Sequence, residues 1–250
     1  MNTDSFLFDS HFEVFLADTL EGREIHYSIR YQVYCEEMEF EKKHCFPRKL
    51  EFDDHDQHSV HFIVRHKSSG RWVGAVRLIL KNDQLLPIEQ LCSIQEQKGK
   101  NVVMQSAELS RLCVIKEIRR GIEDLDPPHG IDDKIYAYKE RHKVKQLLYK
   151  RQNINRSVMW GLLNAAMEYC CLNNIDNWYF IITEALATVL REGGFNMSNI
   201  GKPIDHNGKR YPFKKDVVNA FNNEIWRKDY KSGYCKYSDF ERSQYLAIAV

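Results

Sequence analysis

Two short stretches of the sequence concentrate ionisable side chains beside apolar residues. FDDHD runs from Phe52 to Asp56, and ELSR, from Glu108 to Arg111, follows about fifty residues later. Carboxylates and a histidine at this spacing could hold a metal ion, form a solvated turn or line a catalytic cleft shared with ELSR. A buried charge without a partner is strongly unfavourable, so we expect these side chains to pair with one another.

Two arginines lie on neighbouring apolar segments. Arg30 falls in a segment with helical periodicity, and Arg77 is in the middle of a strand-like run, GAVRLIL. They could form one ion-pair network that fastens a helix and the FDDHD segment to a sheet, or they could act directly on a substrate. The sequence leaves both roles open for Arg30 and Arg77.

The metal hypothesis is the weakest of the three, and we expect no metal site. The histidines of this region are spaced three residues apart, which suits neither one face of a strand nor an H-E-x-x-H helix. Ser110 is also a poor candidate nucleophile, since no histidine base is indicated near it. The residues of the metal hypothesis are Asp53, Asp54, His55, Asp56, His58 and His61.

The elements that must position these residues follow from the periodicity of apolar side chains. HSVHFIVRH and RWVGAVRLIL alternate as strands and are joined by KSSG, which predicts a β-hairpin. In the second strand Arg77 should face away from Val76 and Leu78. AELSRLCVI predicts a strand with Glu108, Ser110, Leu112 and Val114 on one face and Leu109, Arg111 and Cys113 on the other.

The remaining predicted elements alternate between strands and helices. Between the last predicted strand of the first half and the next helix lies a charge-dense segment, Lys116 to Gln152, which is either a long insertion or a helical lid. The others are a strand from Phe12 to Thr19, a helix from Glu24 to Glu37, a loop with a short turn at LLPIEQLC, helices from Arg156 to Leu172 and at EALATVLREGG, a strand at WYFIIT, a strand pair within FNMSNIGKPIDHNGKRYPF, and a helix around Val217 to Trp226 before a tail.

Length and composition suit one large domain. The chain has 250 residues, 43% hydrophobic and 28% charged, which is typical of a globular protein. We treat residues 1–250 as one domain with a charged insertion at about 116–152 and a C-terminal extension at about 217–250. No run of about 18 apolar residues and no basic-then-apolar N-terminus occurs, so neither a membrane span nor a secretory signal is expected. Seven cysteines without a C-x-x-C pair favour a reduced, cytoplasmic protein.

The charges are unevenly distributed along the chain. The formal net charge is +1, yet between Lys134 and Arg156 eight basic residues stand against Glu140 alone. Such a run attracts a polyanion, whether nucleic acid, an anionic lipid surface or an acidic protein, or else forms a solvated helix face. The basic residues are Lys134, Lys139, Arg141, Lys143, Lys145, Lys150, Arg151 and Arg156.

Four of these motifs, in their order and spacing, resemble the LuxI-type autoinducer synthases and the related N-acyl amino acid synthases. The pattern is R-x-x-V-[FY], D-x-x-D, G-x-x-R-[LI] and E-x-S-R. EALATVLREGGFNMSNIGKPIDHNGKRYPF is especially similar to acyltransferases associated with PEP-CTERM/exosortase systems, and the resemblance spans roughly Phe12 to Phe213. The pattern falls on Arg30, Val33 and Tyr34; Asp53 and Asp56; Gly74 and Arg77; and Glu108, Ser110 and Arg111.

This resemblance implies a GNAT-like α+β fold, a mixed central sheet flanked by helices on both faces, and the order of the predicted elements fits it. It also implies an N-acyltransferase that moves a long-chain acyl group from acyl carrier protein to the α-amine of an amino acid. No cofactor would be bound permanently, because the acyl-phosphopantetheine of the carrier protein is the donor.

The segment after ELSRLCVI favours a carrier protein over coenzyme A as the donor. IKEIRRGIEDLDPPHG lacks the glycine-rich loop that a coenzyme-A-dependent member should carry for the pyrophosphate. The basic run that follows suits an acidic carrier protein. The residues assigned to that contact are Lys139, Arg141, Lys143, Lys145, Lys150 and Arg151.

The resemblance then suggests roles for single residues. We expect Glu108 to be the general base, or alternatively to orient Arg30 or Arg111, which are the other catalytic candidates. Arg111 or Arg77 would bind the carboxylate of the acceptor. Asp53 and Asp56 would order the mouth of the cleft or bind a cationic part of the acceptor.

The other substrate-binding candidates line the two central strands. A backbone N–H within Leu112, Cys113 and Val114 would stabilise the tetrahedral oxyanion. Ser110 would contact the substrate on the same strand. The acyl chain would lie among Trp178, Phe180 and Ile182.

Several alternatives stay open. Within enzymes they are an acyl-homoserine lactone synthase that uses S-adenosylmethionine and an N-acyltransferase that uses coenzyme A. Outside enzymes they are a non-catalytic module that binds acyl carrier protein or an anionic surface, and nucleic-acid binding through the basic run with Tyr136, Tyr138 and Tyr149. As partners we expect acyl carrier protein and an amino-acid acceptor, with an anionic membrane as a further candidate contact and no nucleic acid.

Overall fold

The computed structural model describes residues 8–93, 106–120, 157–221 and 230–248. Its strands are β1 (Phe12–Leu16), β2 (Ser59–His66), β3 (Trp72–Leu80), β4 (Ser106–Val114), β5 (Asn177–Ile182), β6 (Ser198–Asn199), β7 (Ile204–Asp205), β8 (Lys209–Asp216) and β9 (Cys235–Lys236). Its α-helices are α1 (Phe8–His11), α2 (Leu20–Arg30), α3 (Pro87–Leu91), α4 (Lys116–Arg120), α5 (157–172), α6 (Glu184–Glu192), α7 (Val217–Phe221) and α8 (Tyr237–Ile248). A π-helix (Tyr31–Glu37) continues α2, and 3₁₀ helices span Lys43–Cys45 and Asp54–His58.

The strands form one mixed sheet in the order β6-β8-β5-β4-β3-β2-β1-β9, with β7 paired to β8 off this path. β4 and β5 are parallel, as are β1 and β9, and the other pairs are antiparallel. The hairpin predicted at KSSG is confirmed as β2–β3, and it places His61 opposite Arg77. The predicted α+β class with a mixed central sheet is therefore confirmed.

β4 and β5 separate along the sheet. They are paired only from Ser106–Asn177 to Glu108–Tyr179, although β4 continues to Val114 and β5 to Ile182. Because the two strands are parallel, the gap lies between their carboxyl ends and begins directly after Glu108. We call this gap the β4–β5 opening.

Helices cover both faces of the sheet. α2 packs across β2, β3 and β4 on one side, which we call the α2 face. α5 covers the opposite side, the α5 face, and it approaches so closely that a Cβ added to Gly74 would lie 3.1 Å from Val158 Cγ1. Phe62 also meets Tyr169 of α5 edge-on, with ring centroids 6.0 Å apart. Arg77 lies on the α2 face, away from Val76 and Leu78, as predicted.

The boundaries of the first elements differ from those predicted. β1 ends at Leu16 rather than Thr19, because the Thr19 side chain caps α2 by accepting a hydrogen bond from the N–H of Gly22 at 3.1 Å. α2 therefore begins at Leu20 rather than Glu24, and its continuation is a π-helix rather than a regular α-helix. The LLPIEQLC segment contains the short helix α3 rather than only a turn.

The second half follows the predicted order. α5 and β5 occupy the predicted segments, and α6 ends at Glu192 with Gly193 as its C-cap, as the glycine signal indicated. The predicted strand pair is the β7–β8 hairpin. Residues 121–156, which include most of the predicted insertion and the basic run, lie outside the described residues. Among the helices of the described ranges, none is long and apolar enough to cross a membrane.

The C-terminal residues do not form the predicted tail. The predicted helix around Val217 to Trp226 is described only as α7, Val217–Phe221. β9 then pairs with β1 through Phe15–Cys235, and Tyr237 is buried in the core beside Phe15. The prediction of a tail was wrong because β1 offers an edge whose backbone groups a further strand can satisfy.

Candidate active site

Arg30 joins α2 to the segment that precedes β2. It is completely buried; its Nε donates to Glu51, and its Nη1 donates to Asp56 Oδ1 at 2.6 Å. The N–H of Glu51 also donates to the carbonyl of Tyr27 on α2 at 3.1 Å. A buried guanidinium is stable only with such partners, so Arg30 holds α2 against the FDDHD segment.

The D-x-x-D motif forms a capping box for the 3₁₀ helix Asp54–His58. Asp53 Oδ1 accepts from the N–H of His55 at 2.9 Å, and Asp56 Oδ2 accepts from the N–H of Asp53 at 2.7 Å. The three-residue spacing is the one that such a reciprocal cap requires. Both carboxylates of the cap also contact the arginines of the site.

Arg77 connects this segment to the middle of the sheet. Its Nη1 lies 2.6 Å from Asp53 Oδ1 and 3.1 Å from Asp56 Oδ1, and its Nε donates to Ser110 Oγ at 3.0 Å. Burial raises the pKa of Asp56, but the hydrogen bond from His61 and the charges of Arg30 and Arg77 hold it well below its ordinary value. Asp56 is therefore an ionised, structural carboxylate.

Arg111 also contacts these carboxylates, although its predicted position was on the opposite face of β4 from Glu108 and Ser110. Ser110 pairs with Arg77 and Cys113 with Ala75, so Arg111 and Leu112 form a β-bulge, and Arg111 has a φ of 51°. The bulge turns Arg111 and Cys113 to the α2 face, and Val114, opposite Gly74, to the α5 face. The predicted strict alternation is wrong here for this reason.

The bulge also gives Arg111 its contacts. Its Nη2 lies 3.1 Å from Glu51 Oε1 and 3.4 Å from Asp53 Oδ2. Its guanidinium lies over the ring of Tyr34, 5.4 Å from the centroid, and the Tyr34 hydroxyl donates to the Leu112 carbonyl at 3.2 Å. The side chain is 23% exposed, which makes Arg111 the arginine of this group that solvent or a ligand can reach.

We call the three arginines and three carboxylates of these ion pairs the paired cluster, because each charged side chain contacts one of opposite charge. Three arginines stand against three carboxylates, and all lie between α2 and the sheet. The members are Arg30, Glu51, Asp53, Asp56, Arg77 and Arg111.

Three residues of this region were missed at the sequence level. Glu51, two positions before Asp53, bridges Arg30 and Arg111, and its place beside an aspartate-rich motif was the available signal. His61 Nε2 donates to Asp56 Oδ1 at 3.0 Å, although it was considered only as a metal ligand. The buried ring of His26 lies 4.6 Å from that of His61, and burial lowers its pKa well below the ordinary value. Nothing in the sequence marked His26.

Glu108 differs from the paired cluster. It is 3% exposed, and its Oε2 accepts from the N–H of Ile88 in α3 at 2.7 Å. Within the described residues it forms no ion pair. Its α2-face neighbours include Ile79, Ile88 and Tyr179, which belong to a small apolar cluster. Burial raises the pKa of Glu108 to about 8, against the hydrogen bond from Ile88 and the charge of Arg77.

The remaining predicted substrate contacts lie at different depths. Cys113 is buried beside the paired cluster, and burial raises the pKa of its thiol to about 12, which argues against a thiolate nucleophile. Trp178 and Phe180 are fully buried on the α5 face, opposite to Glu108, where the Trp178 Nε1 donates to Cys170 Sγ at 3.1 Å. The β4–β5 opening lies between the two strands that carry Glu108 and these aromatic residues.

Two further predictions concern metal and carrier binding. In the described part of the chain, no group of three or more His, Cys, Asp or Glu residues is arranged to hold a metal ion. His55 and His58 lie within the 3₁₀ helix Asp54–His58. The six basic residues assigned to the carrier protein, Lys139 to Arg151, lie outside the described residues.

Comparison with known proteins supports the fold. Residues 29–123 match the acetyltransferase (GNAT) domain model, a range that contains the paired cluster and Glu108. A search of curated proteins gave no match.

Solved structures that resemble the chain include acyl-homoserine lactone synthases and an N-acyl amino acid synthase. BjaI, a CoA-dependent acyl-homoserine lactone synthase solved with SAM and isopentyl-CoA, superposes with a TM-score of 0.58 at 15% identity, over 90% of this chain and 92% of that one. The acyl-homoserine lactone synthase LasI gives 0.53 at 13% identity, over 90% and 97%. FeeM, an N-acyl amino acid synthase from uncultured soil microbes, gives 0.51 at 12% identity, over 89% and 96%. The domain match assigns residues 29–123 to the acetyltransferase (GNAT) domain and so supports an acyltransferase, and the shared architecture shows that the chain has a GNAT-like fold.

Proposed function

We propose that the protein is an N-acyltransferase that moves a long-chain fatty acyl group from acyl carrier protein to the α-amine of an amino acid. The observation that carries the proposal is Glu108, a buried carboxyl with a pKa of about 8 at the start of the β4–β5 opening. A base with a pKa near the working pH combines a useful ionised fraction with a strong affinity for a proton.

The reaction needs few parts. The amine attacks the thioester carbonyl directly, and Glu108 accepts the proton that the nitrogen releases, alone or through a water. The tetrahedral intermediate collapses to an amide, and the thiol of phosphopantetheine leaves with a proton. A backbone N–H within Leu112 to Val114, at and directly after the bulge, stabilises the oxyanion.

The paired cluster positions the groups that carry out this chemistry. Arg30 and Arg77 are buried and bonded to carboxylates, so we assign them positioning roles, and Ser110 orients Arg77. Arg111 keeps part of its guanidinium exposed, which fits a contact with the acceptor's carboxylate. Asp53, 30% exposed, borders the same space and fits a role at the mouth.

A carrier protein is our preferred donor for two reasons. The segment after β4, IKEIRRGIEDLDPPHG, lacks a glycine-rich phosphate loop, and a basic run follows it. We place the enzyme in the cytoplasm, where acyl carrier proteins are loaded. We propose no permanently bound cofactor, no metal ion and no nucleic-acid partner. Contact with an anionic membrane is a secondary part of the proposal.

A second candidate is acyl-homoserine lactone synthesis from S-adenosylmethionine. It is favoured by the similarity to BjaI, which was solved with SAM and isopentyl-CoA. The same Glu108 and the same opening would serve it, since the amine of the acceptor again attacks a thioester.

Mass spectrometry of reaction mixtures tests the proposal. The protein is incubated with palmitoyl carrier protein or palmitoyl-CoA and either a mixture of amino acids or S-adenosylmethionine, with the Glu108→Gln variant as the matched blank. We expect N-palmitoyl amino acids from the carrier-protein donor. Product from acyl-CoA alone would remove the carrier protein from the proposal, a lactone would favour the second candidate, and no product from any mixture would contradict both.

A further inference from the structure

The β7–β8 hairpin stands at the β4–β5 opening. Ile182, the last residue of β5, pairs with Tyr211 of β8. Lys209 and Arg210, which precede Tyr211, therefore lie beyond the carboxyl end of β5, where β4 and β5 have separated. β7 returns alongside them through the Ile204–Arg210 pair.

The hairpin is also on the side of the sheet that holds Glu108. Ile200 and Ile204 pack against the apolar cluster that contains Ile79 and Tyr179. That cluster lies on the α2 face, where the Glu108 carboxyl is buried. A molecule that enters the opening toward Glu108 from this end passes the hairpin.

The hairpin carries an excess of positive charge. Between Lys202 and Arg210 three basic residues stand against one acidic residue, Asp205, which pairs with Lys209. Lys202 and Lys209 are exposed, and the Nζ of Lys209 lies over the ring of Tyr211, 5.4 Å from its centroid. We call Lys202, Lys209 and Arg210 the hairpin surface.

The tip of the hairpin is held in one shape. The Nε of Arg210 donates to the carbonyl of His206 at 3.1 Å, and its Nη2 donates to that of Asn207 at 3.3 Å. Asn207 and Gly208 take the positive φ angles, 51° and 91°, that a tight turn requires. A preformed surface loses little conformational entropy when a partner binds to it.

We infer that the hairpin surface is a docking contact for the acidic acyl carrier protein, an inference that rests on the proposed function. Its charge complements an acidic helix, and opposite charges raise the rate of encounter. A carrier protein docked there delivers its phosphopantetheine arm directly to the β4–β5 opening.

Charge reversal at two exposed lysines tests this contact. The variant is Lys202→Glu with Lys209→Glu. The matched control is Lys231→Glu with Lys236→Glu, two exposed lysines just before β9 and within it, at the other edge of the sheet. Turnover is measured with palmitoyl carrier protein and with palmitoyl-CoA. Binding of fluorescently labelled palmitoyl carrier protein is measured separately by anisotropy, which does not require turnover.

The hairpin variant should raise the KM and the Kd for palmitoyl carrier protein by about tenfold. The loss with palmitoyl-CoA, whose phosphates meet the same lysines without a carrier protein, should be smaller, the control should be unchanged, and salt should weaken binding of the wild type more than that of the variant. An unchanged Kd, an equal loss in the control, or an equal loss with palmitoyl-CoA would overturn the docking contact. If no donor gives product, the proposed function fails, while the anisotropy result still decides whether the carrier protein docks at the hairpin.

Discussion

The paired cluster and Glu108 share the α2 face of one sheet, yet their electrostatics are opposite. In the cluster, three arginines and three carboxylates neutralise one another through contacts such as Arg77–Asp53 at 2.6 Å. Glu108 lies among apolar side chains with an amide N–H as its hydrogen-bond donor. Burial raises the pKa of both carboxyls, but the His61 hydrogen bond and the charges of Arg30 and Arg77 bring the pKa of Asp56 well below its ordinary value, whereas the pKa of Glu108 stays raised.

This difference indicates a structural role for the paired cluster and a proton-transfer role for Glu108. A carboxylate held by arginines keeps its charge over the whole physiological range, so it can fix α2 and the FDDHD segment but cannot exchange protons. A buried carboxyl without a cation can gain and lose a proton near neutral pH. The comparison predicts that changes in the cluster act first on stability and that changes at Glu108 act first on turnover.

Arg30→Gln should cause the largest effect. It leaves Glu51 and Asp56 buried without their shared cation, so the free energy of unfolding should fall by about 3–5 kcal/mol. Urea denaturation measures this loss. Arg48→Gln is the control, because Arg48 pairs with Glu24 at 2.9 Å on the surface, and its removal should change stability by less than about 1 kcal/mol. A similarly small loss at Arg30 would show that the cluster does not hold the fold.

Glu108→Gln should have the opposite effect, lowering turnover strongly while leaving stability almost unchanged. Glutamine keeps the volume and the acceptor for Ile88, so stability should change little while kcat falls about 100-fold or more. Only the ionised carboxylate accepts a proton, so wild-type turnover should rise with pH toward the Glu108 pKa of about 8. Glu89→Gln, on the same helix α3, is the control and should keep its activity. An unfolded Glu108→Gln variant, or one with full turnover, contradicts the assignment.

Tyr34→Phe should have a smaller effect on turnover, because Tyr34 contacts the bulge that lies between the paired cluster and Glu108. It removes the hydroxyl that holds the Leu112 carbonyl but keeps the ring beneath Arg111. We expect a fall in kcat of about threefold to tenfold, in line with one hydrogen bond of about 1 kcal/mol, and little change in the KM for the amino acid. Tyr27→Phe serves as the comparison. A change confined to KM would place Tyr34 in substrate binding instead.

Periodicity and motif order predicted much of this arrangement. The β2–β3 hairpin and α5 follow directly from alternating and helical patterns, because one buried face dictates each of them. The motif positions Arg30, Asp53, Asp56, Arg77 and Arg111 do meet in one cluster. Their charges on apolar elements made mutual pairing the expected solution.

What the sequence could not reveal depends on contacts distant along the chain. The bulge at Arg111 breaks the alternation of β4 without any glycine to mark it. Glu51 acquires its role only because the backbone of α2 meets it at Tyr27. The raised pKa of Glu108 arises from α3 and β5, which no local pattern connects to ELSR.

Titration of Glu108 itself tests the central distinction most directly, because an acceptor amine ionises in the same pH range and obscures kinetic profiles. The protein is labelled with ¹³C at glutamate carboxyl carbons, and the Glu108 signal is assigned by its loss in Glu108→Gln. We predict a midpoint at about pH 8 for this signal in the free protein. A midpoint at the ordinary glutamate value of about 4.3 would contradict the account.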